Sequence, residues 1–309
     1  MLNLKNKIKS LIYKLNNRRE LDNQKIQIAK NFFFNLKLNH KNINNIEQVF
    51  YKVFSQNGED GIIQYLLYSL KINTPKFVEI GTEDYSESNT RYIYETCSTD
   101  GLIIDGHENL EKKISKFLPL YKGNLKIINK LIEPESIIDI LKKNNFIKDL
   151  DIFSIDIDSV DYWVIKELPD KISKVFIAEY NPYFGPNLEI TVPNIKNFNR
   201  TDYHYSNLCW GSSLKAIINI LKEKGFTFIG VNDLKNNAFF VLNEYLKLIS
   251  LNPPKENLLE YTSAKYREGR DIKGKLSYHS PDDVINIIKN CEVFDLKDKQ
   301  LKKISELIS

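Results

Sequence analysis

Cysteine is scarce in this chain of 309 residues: Cys97, Cys209 and Cys291 are the only three, and they lie far apart. Such spacing offers neither a disulfide framework nor a paired-cysteine zinc site, and it predicts a reducing compartment. Long apolar runs are absent too. None reaches the roughly 18 residues that a membrane span needs, and no apolar leader with a cleavage site opens the sequence, so a cytoplasmic protein is expected. The four histidines (His40, His107, His204, His279) are scattered, and their spacing shows no zinc cluster. A glycine-rich phosphate loop is missing as well, which counts against nucleotide and dinucleotide phosphates as ligands.

The net charge of +4 conceals an asymmetry. Residues 1–50 carry ten Lys/Arg against three Asp/Glu, leaving the other 259 residues at −3. The body of the protein is therefore not a basic nucleic-acid binder, and any electrostatic partner belongs to the N-terminal extension, residues 1–50. There Leu4, Ile8, Leu11, Ile12 and Leu15 recur at helical spacing among Lys5, Lys7, Lys9, Lys14 and Arg18. Two readings stand: a peripheral contact with anionic lipid or a partner, or a helix packed on its own domain. Ile26 to Leu38 continues the helical pattern.

From residue 51 to about 250 short apolar strands alternate with helices. Ser55–Asp60 precedes an apolar helix, Ile62 to Leu70. Strands are predicted at Lys76–Ile80, Leu102–Asp105, Leu125–Ile128, Ile152–Asp156 and Val175–Glu179, with intervening helices, the first of them capped by Ser86. A helix over Leu214–Lys224 leads to two further strands, Phe226–Val231 and Ala238–Leu242, close enough for a hairpin. The pattern predicts an α/β fold: a Rossmann-like, seven-stranded, mostly parallel sheet ending in an antiparallel β-hairpin, plus the N-terminal helical extension. Residues 251–309 read as a C-terminal helical tail, with helices at Pro281–Lys289 and Lys297–Ile308.

Ligands of open α/β sheets bind beyond the carboxyl ends of the strands. The residues found there are Glu79 and Gly81, Asp105, Asp156 with Asp158, and Glu179 with Asn181, so a crowd of carboxylates is expected on one rim. The first loop, Gly81-Thr82-Glu83-Asp84-Tyr85-Ser86-Glu87, holds one glycine and three acids and would repel a phosphate. A cationic ligand fits better, and Asp105 is placed to accept ribose hydroxyls. Strand alternation predicts that only one of Asp156 and Asp158 faces the ligand, and that Glu179 and Asn181 share a face. Between Pro182 and Trp210 an aromatic segment (Tyr183, Phe184, Phe198, Tyr203, Tyr205, Trp210) reads as a lid or a hydrophobic plug. His204 within it is a candidate base, Cys97 a structural thiol, and the Tyr162/Lys166 pair a helical coincidence.

Phe77-Val78-Glu79-Ile80-Gly81, Ile104-Asp105-Gly106 and Phe153-Ser154-Ile155-Asp156-Ile157-Asp158 followed by Tyr162 resemble the class I S-adenosylmethionine-dependent methyltransferases, and more narrowly the FkbM-like O-methyltransferases. The resemblance spans about residues 50–245 and departs where Glu83 replaces the second glycine of the usual GxG and where Ser159 replaces a frequent glycine. It implies S-adenosylmethionine as cofactor, held by Gln56, Glu79, Gly81, Asn89 and Asp105. Asp156, Asp158, Glu179 and Asn181 would face the acceptor, a saccharide or other hydroxylated small molecule. No metal ligands are assigned, although acid on the fourth strand with acid and amide after the fifth resembles the magnesium (Mg2+) site of catechol-type methyltransferases. The alternative is an inactive methyltransferase-fold scaffold docking to membrane or partner through its basic N-terminal helix.

Overall fold

The computed structural model describes residues 2–252, 254–255, 257–264 and 269–308, with side chains of residues 2–17, 281 and 282 outside the description. The amphipathic positions Leu4 to Leu15 therefore lie outside the described side chains. In chain order the helices are α1 Leu2–Asn39, α2 Glu59–Ser69, α3 Arg91–Thr96, α4 Leu110–Ile114, α5 Ile137–Asn144, α6 Asp161–Glu167, α7 Arg200–Tyr203, α8 Leu214–Glu223, α9 Pro281–Ile288 and α10 Ile304–Leu307. The strands are β1 Lys76–Ile80, β2 Asp100–Asp105, β3 Asn124–Asn129, β4 Leu150–Ile155, β5 Ser173–Glu179, β6 Ile190–Thr191, β7 Phe226–Val231, β8 Asn237–Leu242, β9 Glu292–Asp295 and β10 Gln300–Lys303.

Seven strands form one sheet in the order β3-β2-β1-β4-β5-β8-β7. β1 to β5 pair in parallel, whereas β8 runs antiparallel to both β5 and β7. The hairpin drives this reversal, since the few residues between β7 and β8 cannot make a crossover. The chain runs outward from β1 to β3 and then returns to the other side of β1 for β4. The switch point thus falls between β1 and β4.

Period-two alternation sorts the strand residues between two cores. Val78, Ile80, Leu102, Ile104, Phe153, Phe176 and Phe240 pack toward α5, α6 and α8. Phe77, Ile103, Ile152, Val175, Ile177 and Phe239 face the other way, onto α2, α3 and α4. Both faces are covered, which is why these strands read as continuous apolar runs in the sequence.

Two local expectations are corrected, and an open choice between lid and plug is narrowed. Ser86 caps no helix: its carbonyl accepts from Arg91 Nη1 at 2.7 Å, and α3 begins after Thr90 without a side-chain cap. A helix over Lys297–Ile308 gives way to β10 and the four-residue α10, because β10 pairs with β9 and β9 with β6 in a three-stranded antiparallel sheet. Most of the Pro182–Trp210 segment is plug. Tyr183, Phe184 and Cys209 join Ile288 and Val293 in a satellite core, fastened by the Tyr203 hydroxyl donating to the Glu292 carbonyl at 2.6 Å.

The C-terminal half of α1 packs on the domain through Ile26 and Ala29, against Phe54 and Tyr92, and through Leu36. Arg91, 2% exposed, ties the two together. Its guanidinium reaches Asp22 of α1 at 2.5 Å and Glu95 at 3.0 Å, and lies over the Phe54 ring at 3.8 Å. Removing one partner of a buried ion pair leaves the others uncompensated, so Arg91→Met is expected to cost about 3 kcal/mol. A shift of the urea midpoint at constant m-value measures that loss, and a shift below a quarter of it would show that α1 is held by apolar contacts alone.

Candidate functional site

One face of the sheet carries the polar strand ends. Glu79 follows Phe77 by two residues, Asp105 follows Ile103, Glu179 follows Ile177, and Asn237 precedes Phe239 by two. All four therefore point to the side of the α2/α3 core, at its rim. With Asp156 just beyond the end of β4 they line one cavity of about 1090 Å³ at the switch point. Gln56, Gly81, Asn89 and Asp158 line it too. Of the sequence-derived candidates, Asn181 and the candidate base His204 are missing from its wall.

The floor is organised around Glu79, 3% exposed. Its carboxylate accepts from the Asn89 N–H (2.9 Å), the Ser88 hydroxyl (2.8 Å), the Thr90 N–H (2.9 Å) and the Thr90 hydroxyl (2.5 Å). Burial nevertheless pushes its pKa upward, the four donors working in the opposite direction. Glu79 thereby fixes the turn that delivers Asn89, whose amide donates to Ser154 at 3.1 Å. Gly81 stands at φ +83°, where a Cβ would fall 1.5 Å from the Asp156 carbonyl oxygen. No other residue fits such a crossing.

The loop beyond Gly81 spends its amides internally. Glu83 N–H donates to Asp105 at 2.7 Å, Tyr85 N–H to the Thr82 carbonyl, Ser86 N–H to Asp84, and Ser88 N–H to the Phe54 carbonyl. With Asn89 and Thr90 bound to Glu79, six loop N–H groups are unavailable to a phosphate. Glu83 takes the left-handed conformation expected of the missing glycine, φ +47°, and the short bond to Asp105 offsets that strain. Asp105 also accepts the His107 N–H at 2.7 Å through its other oxygen. Each oxygen keeps acceptor capacity toward the cavity.

Opposite lies a cluster of three carboxylates. One oxygen from each of Asp156, Asp158 and Glu179 lies within 4.8 Å of the other two. Burial first, and then repulsion from the neighbouring carboxylates, raise the Asp156 and Glu179 pKa values well above their ordinary values. Glu179 is 7% exposed, and its Oε2 has no partner among the described residues. Asp158 pairs with Arg200 at 2.9 Å. The expectation that only one of Asp156 and Asp158 faces the cavity fails because strict alternation ends with β4 at Ile155. Asp158 turns left-handed at φ +54°, the conformation that a glycine at Ser159 would otherwise serve. Asp161, 1% exposed, accepts from the Ile157 and Ser159 N–H groups at 3.0 Å each and so shapes this turn.

Asn181 does not share the Glu179 face, because the chain has left the strand. It begins the turn Pro182–Phe184, accepts the Tyr183 N–H, and donates to the Leu208 and Trp210 carbonyls at 3.0 Å each. Fully buried, it anchors the plug. His204 stands outside the cavity wall with Nδ1 on Ser206 at 2.7 Å, and burial pushes the pKa of the half-buried Cys97 thiol upward. Lys166 lies over the Trp163 ring at 5.2 Å, a structural contact.

Several wall residues escaped sequence reasoning. His107, Leu131, Ile132 and Pro134 lie beside Asp105, and Arg200 comes from the plug, next to the Phe198 and Trp210 already named in the aromatic segment. Ser55–Asp60 proved richer than a helix cap. Asp60 Oδ2 gathers the N–H groups of Val53, Phe54 and Ser55 at 2.7–2.8 Å, curling the loop that presents Gln56. Glu59 accepts from Asn232 at 2.6 Å and Asn237 at 3.2 Å, joining that loop to the β7–β8 turn. An acid in the first turn of a helix was the available signal, but its partners are 173 and 178 residues distant.

Gly81→Ala is expected to displace the Asp156 carbonyl and to abolish ligand binding in the cavity while secondary structure persists; circular dichroism together with ligand titration reads both. Asp60 and Asp161 have pKa values raised to about 6 by burial, against ordinary values near 3.8. A carboxyl raised on folding contributes stability in its protonated form: present below pH 3.8, lost as pH rises through 6. Glu79, Asp156 and Glu179 shift the same way. Melting temperature is therefore expected to rise as pH falls from 8 to 5, and a fall over that range would contradict the burial argument.

No protein-family model matches the sequence, and no curated protein does. Among solved structures, an S-adenosylmethionine-dependent methyltransferase from Clostridium acetobutylicum is similar at 9% identity over 60% of this chain and 90% of its own, with a TM-score of 0.37. TrmK from M. capricolum, in complex with S-adenosyl-homocysteine, is similar at 13% identity over 63% and 73%, with a TM-score of 0.29. A further S-adenosylmethionine-dependent methyltransferase, from Mesorhizobium loti, reaches 16% identity over 55% and 84%, with a TM-score of 0.33.

Proposed function

We propose that this protein is an S-adenosylmethionine-dependent O-methyltransferase acting on a hydroxyl-rich small molecule of saccharide type, in the manner of the FkbM-like enzymes that its motifs resemble. The carrying observation is the chemistry of the cavity wall. At the switch point the first loop offers carboxylates and internally spent amides, so a phosphate is disfavoured and a cationic nucleoside favoured.

The donor set fits that cofactor. Asp105 has acceptor capacity for two ribose hydroxyls, Leu131, Ile132 and Pro134 offer an apolar flank for the base, and Gln56 and Asn89 offer amides to the methionine end. When bound, S-adenosylmethionine supplies an electrophilic methyl group on a sulfonium. The volume of about 1090 Å³ admits an acceptor as well.

The chain's own contribution is positioning and proton management. Holding a hydroxyl oxygen in line can supply several kcal/mol of the barrier. The hydroxyl must also lose its proton. Burial and the neighbouring carboxylates make Asp156 and Glu179 more basic than surface carboxylates, as a general base requires. Arg200, paired with Asp158, keeps that third acid oriented. Phe198 and Trp210 give the acceptor side an aromatic edge, which suits a sugar ring.

Isothermal titration of the full chain with S-adenosylhomocysteine tests the reading. Saturable one-to-one binding is expected, weakened about tenfold or more in Asp105→Ala through the loss of two hydrogen bonds. Absence of heat in the wild type, or equal affinity in the folded variant, would overturn it. A labelled-methyl assay on saccharides then separates acceptors.

A further inference from the structure

We infer that Cys209 and Cys291 form a redox-modification site: a thiol pair that an oxidised low-molecular-weight thiol closes into a reversible disulfide, fastening the C-terminal sheet to the plug. Both are free thiols in the structure, and the site stands apart from the methyl-transfer reading.

Strand register brings the two cysteines together. Thr191 of β6 has Ser212 opposite it on one flank and Phe294 of β9 on the other, and both neighbours run antiparallel to it. Those two segments are therefore parallel to each other, and each cysteine precedes its segment's paired residue by three positions. Cys209 and Cys291 thus come level just past Thr191, where β6 has ended. Both belong to the satellite core with Leu208, Ile288 and Val293. The Tyr203 hydroxyl, which donates to the Glu292 carbonyl at 2.6 Å, lies within electrostatic reach of both sulfurs. Hydrogen bonding to Cys291, then burial, raises the Cys209 pKa, and the same contact outweighs burial to lower that of Cys291. The backbone is fixed on each side. Asn181 donates to the carbonyls of Leu208 and Trp210, which flank Cys209, and the Ile304 N–H donates to the Cys291 carbonyl at 3.1 Å. Thiols held this close bridge with little backbone movement.

Exposure sets the order of events. Cys291 is 7% exposed, whereas Cys209 is fully buried. As a thiolate, Cys291 attacks one sulfur of oxidised glutathione; a mixed disulfide forms and one glutathione thiolate leaves. Cys209 then gives up its proton and attacks the Cys291 sulfur, releasing the second glutathione thiolate. The chain loses two electrons and two protons, and one oxidised glutathione becomes two thiols. In reducing compartments, disulfides of this reversible kind serve as redox sensors. Cys209 adjoins Trp210 of the cavity wall, so the bond restrains the plug where it meets the cavity.

The test equilibrates the folded full chain with reduced and oxidised glutathione in graded ratios. Samples are quenched with acid, alkylated under denaturing conditions, digested and mapped by mass spectrometry. A Cys209–Cys291 linked peptide is expected, reversed by dithiothreitol, while Cys97, which follows α3, cross-links to neither. The oxidised chain is expected to melt about 3 °C or more above the reduced one, because the link restricts the unfolded chain. In Cys209→Ser the exchange is expected to stop with glutathione on Cys291, and in Cys291→Ser Cys209 is expected to stay unmodified; circular dichroism checks each fold. Both cysteines alkylated at every ratio, a link to Cys97 instead, or an unchanged or lower melting temperature in the linked chain would overturn the inference. The wild-type map decides it on its own if a serine variant fails to fold.

Discussion

The cavity depends on one tight crossing. Where the chain leaves β1 it passes over the end of β4 so closely that Gly81 has no room for a side-chain carbon beside the Asp156 carbonyl. That contact sets the first and fourth strand ends at a fixed distance, and Glu79 secures it from below by drawing Ser88, Asn89 and Thr90 onto a single buried carboxylate. Binding the loop through a charge in the core is costly unless every donor is present, and here they are. The loop is therefore a rigid rim on which Asn89 and, through Glu83, Asp105 are held in place.

A consequence is that electrostatics, not backbone donors, define what the cavity accepts. In dinucleotide-binding relatives of this architecture the first loop turns its N–H groups outward to a pyrophosphate. Here those groups are turned inward, to Glu79, Asp84, Asp105 and main-chain carbonyls. Negative charge from both sides of the switch point remains, and it favours a positively charged ligand over a phosphate.

The plug illustrates how a small antiparallel sheet far along the chain serves the same site. β6 pairs with β9, which β10 flanks on its other side, and the satellite core around Phe184, Cys209 and Val293 holds the segment whose other end brings Arg200 to Asp158. Asn181, lying against that segment, contributes to it by donating to the Leu208 and Trp210 carbonyls.

Local patterns in the sequence determined the strands, the closing hairpin and the rim of acids, because alternation and strand ends are short-range properties that side-chain period alone encodes. Glu79, Asp105, Asp156 and Glu179 were legible for that reason. Where the chain departs from a strand the period no longer applies, so the turn of Asp158 into the cavity and of Asn181 away from it could not be read. The helix expected over Lys297–Ile308 failed likewise, since its strand is made by pairing with β9 and, through it, with the distant β6. Only the tertiary structure decided that Asn237 stands beside Glu179 and that Glu59 reaches across more than 170 residues to hold it. Which oxygen is left without a donor depends on partners brought together by folding, and no local pattern carries that information.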